Sequence, residues 1–344
     1  MDSVVVKKAG MVNKEFQHHH AAHCESGAVT TLLRNNGFDL SEAMVFGIGS
    51  GLFFIHIPWV KLAGYPVTAY RDMPHSIIKN ICKRLGVRMK SQRFRTPELG
   101  AKALDDLLEK GIPVGIQTNV YWLTYFPDDM RFHYNGHNIV VYGKQGNDYL
   151  ISDPVSDHVV TCSSEDLQRA RFSKGMLAPK GLIYYPEFIP ENPDLEHAIP
   201  LAIRSTIKRM LDVPVPLMGV RGIRFLAKRM EKWPAKYGLK NAARHVGNVI
   251  RMQEEIGTGG AGFRFIYAAF LQESASIINN NELLSISQEL SDVGDRWREF
   301  AVMGAQIVRQ KEKSPAAYKN LAATVRECAD GEEAVYKKLR QAVL

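Results

Sequence analysis

Apolar and polar positions follow two regimes along the chain. Up to about Tyr185, strand-like runs alternate with short helical periods; from about Leu195 onward the period is helical throughout. The first helix signal follows Cys24, where Val29, Leu32 and Leu33 fall at i, i+3 and i+4 and Asn36-Gly37 supplies a stop. Ser41 caps a short helix that runs into a glycine-punctuated tract, 45–54. Residues 65–70 read as a strand, 73–85 as an amphipathic helix and 87–94 as a second strand. Thr96-Pro97-Glu98-Leu99 opens a capped helix that ends at Lys110-Gly111.

Three strand signals follow at 113–118, 137–143 and 148–154, the last two joined by a hairpin turn at Lys144-Gln145-Gly146-Asn147. Between the first two lies an aromatic loop, Tyr121 to Pro127, that either walls a pocket or packs on the core. Residues 158–161 suggest a further strand, Ser163 caps a short helix, and 182–185 closes the domain before a proline-rich linker at 186–193. Beyond it, helical segments are expected at 199–211, 219–232, 239–256, 263–279, 283–311 and 316–344. The glycine-dense interruption from Glu254 to Arg264 is either a helix–helix turn or a loop facing the active site or its ligand. The expected fold class is therefore α+β: a mixed domain over 1–190 and an all-α domain over 191–344 that covers the active site.

At 344 residues the chain is long enough for two domains, and 45% hydrophobic with 23% charged residues is a soluble globular composition. No apolar run is long enough to span a bilayer; the longest, 44–60, is broken by glycines, His56 and Pro58. Residues 1–8 lack a charged segment followed by an apolar one, so no secretory signal is expected. Cys24, Cys82, Cys162 and Cys328 are too dispersed for a disulfide framework or a CxxC zinc module, which favours a cytoplasmic location. Gly47, Gly49 and Gly51 complete no phosphate-loop motif and are better explained by close backbone approach. Net charge is +8, with twelve Lys and Arg between Arg204 and Arg251 opposed only by Asp212 and Glu231. That stretch is either a solvated face or a site for an acidic partner. Nucleic acid is not expected, because no nucleic-acid-binding motif accompanies the charge.

Chemistry concentrates around Cys24, in the first turn of its helix, where free N–H groups and the positive dipole end favour a thiolate. A small buried residue, or a metal ligand beside His18, His19, His20 and His23, are the alternatives. His19 and His23 are i, i+4 but precede the helix start, whereas zinc sites with that spacing normally lie within a helix; no metal is expected. His137 begins one strand of the hairpin and Asp153 ends the next, nearly opposite each other. Cysteine, base and orienting carboxylate are the three parts of an activated nucleophile.

This order resembles the papain-like cysteine peptidases. More closely, His23-Cys24-Glu25-Ser26-Gly27-Ala28, the stretch from Leu40 to Leu52, Gly136-His137-Asn138-Ile139-Val140-Val141-Tyr142-Gly143 and Ile151-Ser152-Asp153-Pro154 resemble the butirosin biosynthesis protein H-like family. The helical half, with Gly257-Thr258-Gly259-Gly260 and the run from Phe263 to Leu271, is similar to the uncharacterised domain that often accompanies it. The resemblance implies a papain-like acyltransferase of natural-product biosynthesis. It would take an acyl group from the phosphopantetheine thioester of an acyl carrier protein and pass it to a small-molecule amine, with no cofactor of its own. A cysteine hydrolase (peptidase, amidase or thioesterase) is the alternative.

Carried onto this chain, Cys24 is the nucleophile, His137 the general base and then acid, and Asp153 the orienting carboxylate. His18 stands where the peptidases usually have an oxyanion-stabilising Gln, and Gln17 lies one position further back, so both are candidates beside the Cys24 N–H. Candidate substrate contacts are Glu25, Tyr134, Asn135, Tyr121, Gly259 and Arg264. The basic stretch would dock the carrier protein, and the long segment 283–311 suggests a homodimer.

Overall fold

The computed structural model describes residues 15–62, 64–309 and 314–343. The N-terminal stretch judged for a secretory signal, and the expected helix ends at Lys311 and Leu344, lie outside the described residues. Chain order in the mixed half is α1 (Cys24–Arg34), α2 (Glu42–Ile48), β1 (Leu52–Leu62), β2 (Tyr65–Arg71), α3 (Ser76–Leu85), β3 (Arg88–Gln92), α4 (Pro97–Leu108), β4 (Val114–Thr118), β5 (His137–Gln145), β6 (Asp148–Ser152), β7 (Val160–Ser163), α5 (Ser164–Arg171) and β8 (Ile183–Phe188). Among the described residues six α-helices follow: α6 (Leu195–Ile207), α7 (Gly219–Met230), α8 (Trp233–Glu254), α9 (Arg264–Ile277), α10 (Glu282–Val308) and α11 (Pro315–Ala342).

Two compact units form, and they do not divide at the linker alone. One contains the chain up to Val45 together with Ile78–Pro193; the other contains Phe46–Ile77 with Asp194–Leu344. One division falls between Pro193 and Asp194, and Phe46–Ile77, a segment expected inside the 1–190 domain, groups with the helices. The linker also begins later than its prolines suggest. β8 runs through Pro186, which pairs with Met89 where the register slips, a position that tolerates the missing N–H.

The first unit is built on a six-stranded antiparallel sheet in the order β3-β8-β4-β5-β6-β7. Ala28 and Leu32 of α1 pack against Val140, Leu182 and Tyr184 on one face. Leu104 and Leu108 of α4 and Leu167 of α5 pack with Ile116, Ile139, Val141 and Ile151 on the other. β5 is covered on both sides, which is why Ile139-Val140-Val141 reads as an unbroken apolar run.

The β5–β6 hairpin carries a slip that matters for the site. Next to the turn Gln145 pairs with Asp148 and Gly143 with Leu150; beyond Tyr142 the pairs are Val141–Ile151 and Val140–Ser152. Tyr142 is thus the extra residue of a β-bulge, and Phe16 stacks on its ring at 4.4 Å. Without the slip, Asp153 would continue opposite Val140, on the face away from His137. With it, Asp153 falls opposite Ile139, and positions 137 and 139 share a face.

In the second unit the β1–β2 hairpin joins the helices. β1 has no counterpart among the expected strands, because Pro58 and His56 interrupt the apolar run that forms it. Gly47 meets the ring of Phe270 so closely that a Cβ there would lie 2.0 Å from it, as the close-approach reading of these glycines expects. At the centre, Arg264 is fully buried, and its guanidinium donates from Nε and Nη2 to the two carboxylate oxygens of Glu332 at 2.9 and 3.0 Å. Trp297 Nε1 donates to the same carboxylate at 2.7 Å, and Arg264 Nη1 donates to the Gly262 carbonyl at 2.6 Å. Burial opposes the Arg264 charge, but Glu332 outweighs it and holds the pKa above its usual value. Breaking such a pair strands a buried cation. Glu332→Gln is expected to destabilise the protein by about 3–5 kcal/mol, measured as urea unfolding.

Candidate active site

Cys24 opens α1, with His23 as N-cap residue; its Nδ1 accepts from the Ser26 N–H at 3.3 Å. Glu42, at the start of α2, accepts from the backbone N–H groups of Ala22 and His23 at 2.9 and 2.8 Å and from the Ser26 hydroxyl at 3.0 Å. Burial raises the pKa of Glu42 against these bonds. One carboxylate therefore fixes the turn that presents the cysteine. It carries no sequence signature beyond its place in a helix's first turn.

Gly27 completes the positioning from the other side. A Cβ there would lie 2.6 Å from both Ala21 and Pro154, and the Ala21 N–H donates to the Pro154 carbonyl at 2.6 Å. Because Pro154 follows Asp153, the bare surface of α1 sets how near the aspartate comes to the cysteine. Gly27→Val is expected to cost about 1–3 kcal/mol by overpacking and to lower Cys24 reactivity with an acyl thioester more than thiol accessibility to a small alkylating reagent.

His137, at the start of β5, makes a 2.7 Å hydrogen bond from Nε2 to Asp153 Oδ2, and its ring is also hydrogen-bonded to Cys24. Nε2 is thus committed to the aspartate, which leaves Nδ1 for the cysteine. The Cys24 thiol lies 3.8 Å from the Gly136 carbonyl, which also accepts from Asn138 Nδ2 at 3.2 Å. Cys24 is 8% exposed, His137 6% and Asp153 fully buried. Burial alone pulls the His137 pKa down. The Asp153 charge and hydrogen bond, with Cys24 on the other side, outweigh it and push the pKa from its usual 6.5 to about 10.

Asp153 is held by more than the histidine. Tyr125 of the aromatic loop donates its hydroxyl to the same Oδ2 at 2.7 Å, and the Val155 N–H donates to Oδ1 at 3.1 Å. Burial, then Asp153, lifts the Tyr125 pKa well above its usual value, so the phenol stays protonated as a donor. Tyr125→Phe removes a hydrogen bond to a charged group, expected to cost about 1.5–3 kcal/mol of stability while leaving Cys24 acylation detectable. The aromatic loop announced a wall or a core contact; its role on Asp153 needed the tertiary structure.

The other sequence candidates divide clearly. Gln17 exchanges backbone hydrogen bonds with the side chain of Asn35, the C-cap of α1, at 2.8 and 2.9 Å. That is the far end of an 11-residue helix, about 16 Å from its start, so Gln17 is too distant to serve Cys24. The ring of His18 is spent on the Ser152 hydroxyl at 2.7 Å and the Ser156 carbonyl at 2.9 Å. A carbonyl only accepts, so His18 Nε2 carries the proton and is already used. Neither expected oxyanion donor has a free N–H at the cysteine, whereas the backbone N–H of Cys24 itself has no partner among the described residues.

Asn135 is likewise committed: Nδ2 donates to the carbonyls of Lys174 and Met176, and Oδ1 accepts from Asn119 Nδ2 at 2.7 Å. It is a clamp on a loop rather than a substrate contact. Glu25 is fully buried and accepts from the Ile78 N–H in the first turn of α3. Tyr121 remains 40% exposed, stacked on His133 at 4.2 Å, and Tyr134 is half-buried beside Gly136. Gly259 and Arg264 belong to the second unit, where Arg264 is consumed by Glu332, so its expected substrate contact gives way to a structural one.

A cysteine at a helix start, with a histidine and an aspartate from paired strands of an antiparallel sheet, defines a papain-like cysteine enzyme. Residues 23–154 match the family model described as butirosin biosynthesis protein H, N-terminal, and residues 165–339 match a domain of unknown function, DUF4872. The chain belongs to the DUF4872 family, whose model spans its helical half, and its residues 23–154 are similar to the butirosin biosynthesis protein H N-terminal family. Among solved structures, a C39-like peptidase from Bacillus anthracis is similar at 15% identity and a TM-score of 0.34, over 53% of this chain and 100% of that one. No curated protein matches the chain. Among the described residues, no helix is long and apolar enough to cross a membrane.

Proposed function

We propose that the protein is a cysteine-dependent acyltransferase of a biosynthetic pathway. It accepts an acyl group from the phosphopantetheine thioester of a carrier protein and delivers it to an amine. The observation that carries this reading is the geometry at His137, buried and hydrogen-bonded to Asp153 through Nε2 and to Cys24 on its other side, an arrangement in which the imidazole takes the Cys24 proton to make the attacking thiolate. The thiolate attacks the thioester carbonyl; the carrier thiol leaves with the His137 proton, and an S-acyl enzyme remains. The amine then attacks that acyl group, His137 takes its proton, and the Cys24 thiolate is regenerated. A thioester needs no further activation, so neither ATP nor a metal enters the scheme. The Cys24 N–H, at the start of α1, is the oxyanion donor in this scheme.

A Cys24 only 8% exposed favours transfer to a bound amine over hydrolysis, because bulk water reaches the acyl-sulfur bond poorly. Tyr121 and Tyr134 are the proposed substrate contacts that keep exposed or half-buried surface. The test is intact-mass measurement after incubation with a short acyl thioester. An adduct at Cys24 that moves to an added amine supports the transferase. An adduct lost only to water makes the protein a hydrolase, and the absence of an adduct excludes both.

A further inference from the structure

From Met73 to Pro97 the chain has seven Lys and Arg and no Asp or Glu. Within the first unit this stretch forms most of α3, whose Ile78 N–H bonds Glu25 beside Cys24, and β3, one of the two edge strands of the sheet. Lys79 and Lys83, one helical turn apart on α3, are exposed, as are Arg88 and Lys90 on β3 and Arg93 and Arg95 just after it. The two elements adjoin, since the Met89 backbone hydrogen-bonds the Cys82 thiol of α3. None of Lys79, Lys83, Lys90, Arg93 and Arg95 has a carboxylate partner among the described residues. By contrast, the basic run from 204 to 251 is partly neutralised inside the second unit. There Arg224 binds Asp330 and Glu333, Arg209 binds Asp72, and Arg251 pairs with Glu255.

We propose that the α3–β3 surface is the docking face for an acidic carrier protein that donates the acyl group. The inference rests on the transferase reading above. Three observations favour it. Cations on an edge strand discourage strand addition, but that role covers only β3 and leaves Lys79 and Lys83 unexplained. The polar neutral residues among them (Asn80, Ser91, Gln92, Thr96) include no exposed aromatic side chain for stacking bases, and Phe94 packs into the core. Finally, the surface begins at the site: the Ile78 N–H, one residue before Lys79, bonds Glu25, which follows Cys24. A protein bound along α3, about 15 Å long, has its prosthetic arm beside the nucleophile.

The test compares two donors: an acyl carrier protein loaded with a short acyl group, and the same acyl group as a small thioester. K79E/K83E and K90E/R93E are each expected to raise KM for the carrier-bound donor about tenfold, with a flatter salt dependence, and to leave the small-thioester rate unchanged. K79Q/K83Q is expected to give an intermediate rise, and the small-thioester rate shows that each variant is folded. If wild type uses both donors and neither reversal alters the carrier KM, the docking face is wrong while the transferase reading stands. If the small thioester fails to acylate Cys24, the transferase reading fails first. Loss of binding to anionic vesicles or duplex DNA in these variants, with carrier KM unchanged, overturns the proposal in favour of those partners.

Discussion

Cys24→Ala is expected to leave no acyl adduct on the protein and to reduce thioester-dependent transfer by about a millionfold, the scale on which loss of a nucleophile removes covalent catalysis. Among the described residues, Cys24 is the only thiol placed at a helix start and hydrogen-bonded to a histidine; burial raises Cys82, Cys162 and Cys328, Cys162 to about 12. Raised thiols are poor nucleophiles near neutral pH. Adduct mass on the Cys24→Ala protein, mapped to another cysteine, would overturn the assignment. His137→Ala is expected to cost nearly as much, and the double variant little more than either single one, because base and nucleophile act as a unit.

Asp153→Asn is expected to lower turnover about ten-thousandfold with little change in fold, since an amide no longer selects the histidine tautomer. The pH profile gives a second reading. His137 is raised to about 10 against the pull of burial, so wild-type activity should persist until its basic limb near that value. Without the Asp153 charge, burial acts with less opposition and the basic limb moves toward or below 6.5. Stability follows the same sign. The folded pKa lies above the unfolded one, so the contribution of His137 is full below about 6.5 and is lost as pH rises through about 10. A pH–rate profile unchanged in the Asp153→Asn protein would remove the aspartate from the mechanism.

Much of the fold was legible because its signals are local. Turn residues marked the β5–β6 hairpin, Gly111 the end of α4, and caps at Ser41, Thr96 and Ser163 the starts of three helices. The six α-helices among the described residues of the C-terminal half were visible as periodicity. β1 was not, because a strand interrupted by His56 and Pro58 depends on pairing with β2 rather than on its own pattern. Nor was the grouping of Phe46–Ile77 with the helices, since a linear boundary is drawn from composition and this segment's packing partners lie some 150 or more residues away, as Gly47 against Phe270 illustrates.

The site divides along the same line. That Cys24, His137 and Asp153 would meet was legible in the sequence, because few residue types can attack, shuttle a proton or orient an imidazole and the hairpin turn suggested two of them as neighbours; their catalytic roles stay part of the proposal. Sequence could not decide the face on which they meet. That depends on the bulge at Tyr142, a one-residue slip that turns Asp153 toward His137. Gln17 and His18 looked equivalent because they are adjacent in the chain, yet one is tied to the far end of α1 and the other to Ser152 and Ser156. The stretch at the start of α1 thus suggests the proposed chemistry through residue type, while tertiary structure alone supplies Glu42, Tyr125 and the close packing at Gly27 that position Cys24 and Asp153. The physical reason is one of range: residue type and turn chemistry act within a few positions, whereas orientation is set by contacts between elements distant in sequence.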